Sequence, residues 1–200
     1  MASLFSHQTL TIFIASLMAF SVLASDQYCN NLTSVKNICK TTQFPDLCYK
    51  SLVPKIGSDA NPQLIYKQSA ELALSEISKA SLDFATNGKI EQLIQKIMPN
   101  NRLALSALES CRTFLSLASY NVNNTLSSST GVTRDDIRTW LSAANADLET
   151  CKYGFADLAE DVRNVVVDKL KNSTEFTINS LAIITEIDKC ERSKMEANKN

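Results

Sequence analysis

The chain is nearly devoid of histidine: His7 is the only one in 200 residues. His7 also lies in an N-terminal segment that we expect to be removed, which would leave the mature chain with none. Without histidine, Ser-His and Cys-His nucleophile pairs and most zinc sites are excluded. The sequence also lacks P-loop, G-x-G-x-x-G, G-x-S-x-G and H-E-x-x-H motifs. We therefore predict no catalytic residue, no metal site and no cofactor, and expect a protein that is not an enzyme.

Glycine and proline are scarce as well, with four of each. Tight turns depend on these two residue types, so this composition indicates a small number of long helices. Charge is balanced, with 20 basic and 21 acidic residues mixed along the chain. We expect no binding to nucleic acid, because that function needs a basic stripe.

Charged residues are absent from the first 25 positions. An apolar run from Leu10 to Leu23 ends in the small-residue pattern Val22-Leu23-Ala24, and polar residues follow, as is typical of a signal peptide. The alternative is a membrane anchor, but the run is shorter than the roughly 20 residues needed to span a bilayer. We predict a signal peptide at 1–25, a secreted domain at 26–200, and no membrane contact after cleavage.

Apolar residues of the mature chain recur at steps of three and four, which predicts amphipathic helices packed nearly antiparallel. The expected fold is all-α: an antiparallel four-helix bundle preceded by a short N-terminal helical hairpin. Residues 158–171 fit either a helical extension or a linker. The expected helical segments are 27–40 and 45–55 in the hairpin, a short piece at 89–97, and long helices at 62–86, 101–122, from 133, and from 172.

Helix starts are marked by capping residues. Asn61 precedes Pro62, and proline favours the first helical position. Thr133 is followed three residues later by Asp136, an acidic variant of the capping box. Asn172 and Glu175 have the same spacing and predict the start of the last helix.

Six cysteines remain after the signal peptide: Cys29, Cys39, Cys48, Cys111, Cys151 and Cys190. In a secreted chain disulfides are the default, with 15 possible connectivities. Cys111 and Cys151 each lie 20 residues from Gly131, on inward-facing stripes. If Gly131 is the turn between two antiparallel helices, the two cysteines lie at equal height in the helix pair. This arrangement predicts a disulfide between them.

The other four cysteines lie near the ends of the mature chain. Cys39 and Cys48 straddle the Phe44-Pro45 turn, so the same argument predicts a bridge between them. Cys29 and Cys190 either pair with each other or stay free thiols.

Other polar residues give weaker signals. Three sequons predict possible N-glycosylation at Asn31, Asn123 and Asn172, each expected near a helix end. Asp147 lies between core positions and is either a buried polar contact or an interface group.

Several segments around the cysteines resemble the plant invertase and pectin methylesterase inhibitor family. Thr41-Thr42-Gln43-Phe44-Pro45-Asp46-Leu47-Cys48 is similar to the turn between that family's first two cysteines. Leu108-Glu109-Ser110-Cys111 resembles its third cysteine site. Trp140-Leu141-Ser142-Ala143-Ala144, with Glu149-Thr150-Cys151, resembles its fourth. The likeness covers nearly the whole mature chain, about 29–190.

The resemblance implies a four-helix bundle with disulfides between the first and second and the third and fourth cysteines, the two bridges already predicted. It says nothing of Cys29 and Cys190. It also implies a proteinaceous inhibitor, secreted to the apoplast or cell wall, that occludes its target's sugar-binding cleft. Thr150 matches a position implicated in target contact, although it could instead only pack against the neighbouring bridge.

Two targets are compatible with the resemblance. The Trp140-Leu141-Ser142-Ala143 stretch favours plant pectin methylesterase as the partner, and the Pro-Lys-Phe tripeptide frequent in cell-wall invertase inhibitors is absent. Acid invertase is the alternative. A third interpretation, a pro-region of a pectin methylesterase, is less favoured because no catalytic domain follows within the sequence.

Overall fold

The computed structural model describes residues 29–30, 32–127 and 131–197. Across these ranges the backbone is almost entirely helical, and the only β feature is an isolated antiparallel bridge between Ser34 and Asp59. The predicted signal peptide and the Asn31 sequon lie outside the described residues. The helices with defined bounds are α1 (Val35–Cys39), α2 (Pro45–Ile56), α3 (Pro62–Phe84), α4 (Lys89–Ile97), α5 (Arg102–Thr125), α6 (Arg134–Tyr153) and α7 (Glu160–Ala197).

Four long helices form a closed bundle: α5 packs on α6, α6 on α7, α7 on α3 and α3 on α5. The short α1–α2 hairpin packs against α3 and α7, and α4 contacts α3, α5 and α7. The predicted all-α fold, a four-helix bundle preceded by a helical hairpin, is confirmed. Nowhere in the described part of the chain is a helix long and apolar enough to cross a membrane.

The core is built from the apolar stripes of these helices. The stripe of α3 runs in steps of three and four and is fully buried, and so is that of α5. Phe84 at the end of α3 meets Phe155, just beyond α6, edge to face with ring centroids 6.1 Å apart. The buried α5 residues are Ala104, Leu108, Cys111, Leu115, Ala118 and Val122.

Two of the three predicted helix caps are present. The Asn61 side chain accepts a hydrogen bond from the backbone N–H of Leu64 at 2.8 Å. Thr133 and Asp136 form a capping box: the Asp136 N–H donates to Thr133 Oγ1 at 3.1 Å, and the Thr133 N–H donates to Asp136 Oδ2 at 2.8 Å. These local signals act within one helical turn, so they can be read from the sequence alone.

The third predicted cap is wrong, because α7 begins at Glu160 and not at Asn172. Val162, Val166 and Leu170 recur at steps of four and are buried, so the ambiguous segment is a helical extension that continues the core. Asn172 is exposed in mid-helix, with Nδ2 3.4 Å from the Glu76 carboxylate. Its sequon therefore does not lie near a helix end.

The first predicted helical segment, 27–40, is not one continuous helix. Residues 29–30 are helical and α1 spans Val35–Cys39, because the backbone between them is engaged elsewhere. The Val35 N–H donates to the Ser58 carbonyl at 2.9 Å, and the Ala60 N–H donates to the Thr33 carbonyl at 2.9 Å. These bonds hold the entry to α1 against the α2–α3 loop.

All six described cysteines are paired. The structure joins Cys39 to Cys48 and Cys111 to Cys151, with Cα–Cα distances of 5.6 Å and 4.4 Å. It also joins Cys29 to Cys190, at 5.4 Å, so of the two alternatives for this pair the structure has the bridge. That third bridge ties the chain ahead of α1 to the far end of α7.

Besides its apolar packing on α3 and α7, the hairpin is bonded to the bundle by a buried polar side chain, Asn179 of α7, which is 2% exposed. Its Oδ1 accepts from the Phe44 N–H at 3.0 Å, and its Nδ2 donates to the Phe44 carbonyl at 3.0 Å. One amide thus bonds both backbone groups of Phe44 in the α1–α2 turn, and the Phe44 carbonyl also accepts from the Cys48 N–H at 3.0 Å. The sequence around Asn179 did not predict this contact with Phe44, which lies 135 positions earlier in the chain.

We expect removal of the terminal bridge to cost more stability than removal of the hairpin bridge. In the chain-entropy model, the loop closed by Cys29–Cys190, 161 residues apart, is worth about 5 kcal/mol. The loop closed by Cys39–Cys48, 9 residues apart, is worth about 3 kcal/mol. The measurement is chemical denaturation of Cys29→Ala/Cys190→Ala against Cys39→Ala/Cys48→Ala.

The disulfide pairing can be tested separately by peptide mapping without reduction. Recovery of a peptide in which Cys39 is linked to Cys111 would contradict the pairing.

The Asn179→Ala variant should lose about 1–3 kcal/mol of unfolding free energy, because the part-buried Phe44 N–H loses its acceptor and the Phe44 carbonyl loses one of its two donors. Hydrogen exchange at the Phe44 amide should accelerate strongly. Asn164→Ala is the matched control, since Asn164 is an exposed asparagine of the same helix. Equal effects of the two substitutions would rule out the docking role of Asn179.

Candidate functional site

A groove of about 350 Å³ runs between α5 and α6 on the outside of the bundle. The Cys111–Cys151 bridge lies at its base, and both cysteines are buried. Small side chains along α5, including Ser106 and Ser110, leave the space open. The groove thus lies where the two helices joined by the Cys111–Cys151 bridge, α5 and α6, meet solvent.

Two large side chains stand at the rim of this groove. Leu103 of α5 is 60% exposed and Tyr153 at the end of α6 is 67% exposed. Apolar side chains of this size usually gain by burial, and exposed apolar patches often mark interaction surfaces. Tyrosine is also enriched among residues that dominate binding energy at protein interfaces.

Thr150, the residue singled out from the sequence, lines the same groove and is exposed. Its Oγ1 donates to the Ala146 carbonyl at 2.8 Å, a bond within its own helix. It therefore lies beside the bridge and faces solvent at once, a placement compatible with both roles considered for it. The hydroxyl makes no hydrogen bond to α5 within the described residues.

Asp147 lies one turn before Thr150 in the seam between α5 and α6. The Asn121 side chain donates to its carboxylate at 3.1 Å. Partial burial raises the pKa of Asp147, and the bond from Asn121 offsets only part of that effect. Of its two proposed roles, the geometry shows a half-buried polar contact that joins the two helices flanking the groove.

A second, polar groove of about 340 Å³ lies between α3 and α7. Its charges neutralise each other: Asp83 Oδ1 is 2.9 Å from Lys89 Nζ, and its Oδ2 is 3.4 Å from Lys169 Nζ. Burial acts to raise the pKa of Asp83, but hydrogen bonds from the two lysines outweigh it and lower the pKa. Since its charges are already paired, this groove is the weaker candidate.

No metal centre is apparent in the part of the chain that the structure describes, where no three His, Cys, Asp or Glu side chains cluster as metal ligands would. The α5–α6 groove is also lined by hydroxyls, the Cys111–Cys151 disulfide and apolar groups rather than by paired carboxylates. Such a surface suits contact with another macromolecule better than acid–base chemistry.

A sequence model of the plant invertase/pectin methylesterase inhibitor family matches residues 33–183, three quarters of the chain. The chain belongs to this family. The matched span contains α1 to α6 and most of α7, and both cysteine pairs predicted from the sequence. The family resemblance found in the cysteine segments is thereby confirmed.

Curated relatives include two proteins of Arabidopsis thaliana and one of Citrus sinensis. A putative pectinesterase/pectinesterase inhibitor 24 is 36% identical over 78% of this chain, and a probable pectinesterase/pectinesterase inhibitor 46 is 33% identical over 78%. Pectinesterase 2 of Citrus sinensis is 32% identical over 84%. The chain spans only 27%, 26% and 31% of these three proteins.

Solved structures support the fold. Two crystal structures of a pectin methylesterase inhibitor from Arabidopsis, one a mutant form, match with TM-scores of 0.51 and 0.57. The matches cover about three quarters of this chain and 93% of each inhibitor chain, at 21% and 20% identity. At this identity the likeness concerns the helical bundle alone.

The rim residues Leu103 and Tyr153 were missed by the sequence analysis. Both fall outside the inward stripes of α5 and α6, and only the bundle geometry brings them to one groove. The available signal was a large apolar side chain at a position where the helical period calls for a polar one.

We expect Asp147→Asn to stabilise the protein at neutral pH and to leave it unchanged in strong acid. A carboxyl with a raised pKa binds its proton more tightly in the folded chain than in the unfolded one. Stability therefore falls as pH rises above the ordinary value of 3.8, and the neutral amide removes that loss. The measurement is urea denaturation of both proteins at several pH values.

The control is Asp157→Asn, which changes an exposed aspartate just beyond α6. At neutral pH this variant should unfold at the same urea concentration as the wild type, because substitutions of exposed side chains change stability little. If Asp147→Asn destabilises the protein at neutral pH, ionised Asp147 contributes more to the seam than its burial costs.

Proposed function

We propose that this protein is a secreted inhibitor of plant pectin methylesterase that binds the enzyme through the α5–α6 groove and occludes its pectin-binding cleft. The single observation that carries the proposal is the exposed groove at the Cys111–Cys151 bridge in a chain of this inhibitor family. The names of the relatives and of the solved structures point to the same target.

The groove is suited to rigid docking. The bridge joins its two walls covalently, and Asn121 and Asp147 join them again along the same seam. A surface ordered before binding loses little conformational entropy when it binds. The exposed rim residues Leu103 and Tyr153 would supply the buried centre of an interface of roughly 800 Å² on each partner.

The proposed mechanism needs no chemistry from the protein itself. Covering the cleft excludes the polymer, so the ester bonds never reach the enzyme's catalytic groups. Purified mature protein should therefore slow ester hydrolysis by a methylesterase without turning over pectin or sucrose alone.

The proposed location is extracellular, in the apoplast or cell wall. The signal pattern at 1–25 and the fully paired cysteines support export. Asn123, exposed in the last turn of α5, and Asn172, exposed on α7, are accessible acceptors for glycans. Neither lies in the α5–α6 groove, so modification would leave the groove open.

The test of target is a titration of residues 26–200, oxidised to three disulfides, into a plant pectin methylesterase and separately into an acid invertase. We expect a dose-dependent fall in methanol release from pectin and no change in sucrose cleavage. Inhibition of the invertase alone would contradict methylesterase as the target and support acid invertase instead. Inhibition of neither enzyme would refute it.

Within the groove, Tyr153→Ala should weaken methylesterase binding by roughly tenfold or more, because a rim tyrosine of this exposure is a strong candidate for a binding hot spot. Thr150→Ala should weaken it less. Since the Thr150 hydroxyl bonds only within its own helix, its loss should leave stability nearly unchanged. The inhibition constant of each variant reports contact with the enzyme, and its thermal unfolding temperature reports packing within the bundle. Together they distinguish the two roles considered for Thr150.

Tyr120→Ala is the matched control. Tyr120 is 64% exposed on α5, close to the 67% of Tyr153, but it does not line the groove. It should inhibit like the wild type. Equal losses for Tyr120→Ala and Tyr153→Ala would place the binding surface elsewhere.

A further inference from the structure

The positive charge of the protein is concentrated on the α1–α2 hairpin. Residues 32–57 hold four lysines, Lys36, Lys40, Lys50 and Lys55, and one acidic residue, Asp46, for a net charge of +3. Residues 58–200 hold 16 basic and 19 acidic residues, for a net charge of −3. The balanced total therefore hides a strong separation of charge between hairpin and bundle.

The hairpin lysines also differ in their surroundings. All four are exposed, and none forms an ion pair with any residue that the structure describes. Six of the bundle lysines, by contrast, pair with Asp or Glu, as Lys89 and Lys169 do with Asp83. The hairpin thus carries a cluster of exposed cationic side chains without ion pairs among the described residues, whereas unpaired lysines of the bundle, such as Lys96 and Lys194, are far apart in the sequence.

Two of these lysines share a groove of about 220 Å³ beside the Cys39–Cys48 bridge. Lys36 and Lys40 are one helical turn apart, about 6 Å along the axis of α1. Tyr49 of α2, 38% exposed, lines the same groove and offers a flat apolar face with a hydroxyl at its end. Asp46 is the one acidic lining residue, so the groove keeps a net positive charge.

This groove is separate from the α5–α6 groove. The hairpin packs against α3 and α7, whereas the α5–α6 groove opens between the other two long helices of the bundle. The two grooves share no lining residue. A ligand of the hairpin would therefore leave the α5–α6 groove uncovered.

We propose that the hairpin groove binds a polyuronate, the de-esterified form of pectin, through Lys36 and Lys40. This inference rests on the proposed function for its choice of polyanion. Methylesterase action converts each methyl ester and a water into a carboxylate, a proton and methanol, so it turns a neutral polymer into one with a row of carboxylates. Such a polymer complements a cationic, sugar-sized groove, while the esterified polymer does not.

The consequence is that the protein would accumulate on pectin that the methylesterase has already de-esterified. Binding of the product polymer would raise the local concentration of the inhibitor next to the enzyme that made it. The attraction should weaken with salt, because it depends on exposed charges.

The test is retention of residues 26–200 on immobilised polygalacturonate, on highly methyl-esterified pectin and on phosphatidylserine vesicles. We expect salt-sensitive retention on polygalacturonate alone. Lys36→Gln/Lys40→Gln should weaken it by roughly tenfold, as expected when two cations that neutralise a polyanion are removed. The matched control Lys96→Gln/Lys194→Gln removes two exposed lysines that have no ion pair among the described residues, and should be retained like the wild type.

Three results would overturn the proposal: equal retention of the two double variants, equal retention on esterified pectin, or tighter binding to the vesicles than to polygalacturonate. Direct binding of the hairpin variant to the methylesterase, measured without pectin, should be unchanged. A loss there with intact polyuronate binding would count against the α5–α6 assignment. Enzyme binding by the wild-type protein without retention on polygalacturonate would count against the hairpin site alone. Circular dichroism and disulfide mapping check that each variant is folded.

Discussion

The long helix α7 is the constraint on which the rest of the structure depends. Its 38 residues extend roughly 57 Å. Along that length it packs on α3, α6 and α4 and holds the hairpin turn through Asn179. Near its C-terminal end, Cys190 forms the bridge to Cys29. The bundle and the hairpin are therefore aligned on one common element.

Two arginine side chains, Arg112 and Arg138, add contacts between helices around the α5–α6 face. Arg112, in the middle of α5, joins the end of α3 to the first turn of α4: its Nε donates to the Phe84 carbonyl at 2.7 Å and its Nη2 lies 2.7 Å from the Glu91 carboxylate. Near the start of α6, Arg138 Nη1 is 2.7 Å from Asp188 of α7. Charged hydrogen bonds to partly buried groups such as these are stronger than surface ion pairs. They hold the α5–α6 face in a fixed position on the rest of the bundle.

Much of this fold could be predicted from the sequence, because its signals are local. The stripes of α3 and α5, the Asn61 cap and the Thr133–Asp136 capping box act within a few residues, and equal spacing about Gly131 relates Cys111 to Cys151. The start of α7 was missed because a β-branched run around Val166 hid the helical period. The rim of the groove and the Asn179 contact depend on helices distant in sequence, which no local pattern reveals. The uncompensated lysines of the hairpin were hidden in the same way, since a balanced total charge says nothing of which charges are paired.

The Cys29–Cys190 bridge has a mechanical consequence. It connects the chain ahead of α1 directly to the end of α7, so everything between them is a closed covalent ring. Tension applied from outside these two cysteines passes through the sulfur–sulfur bond and not through the helices. Under such tension, the bundle inside the ring would keep its shape until that bond is broken.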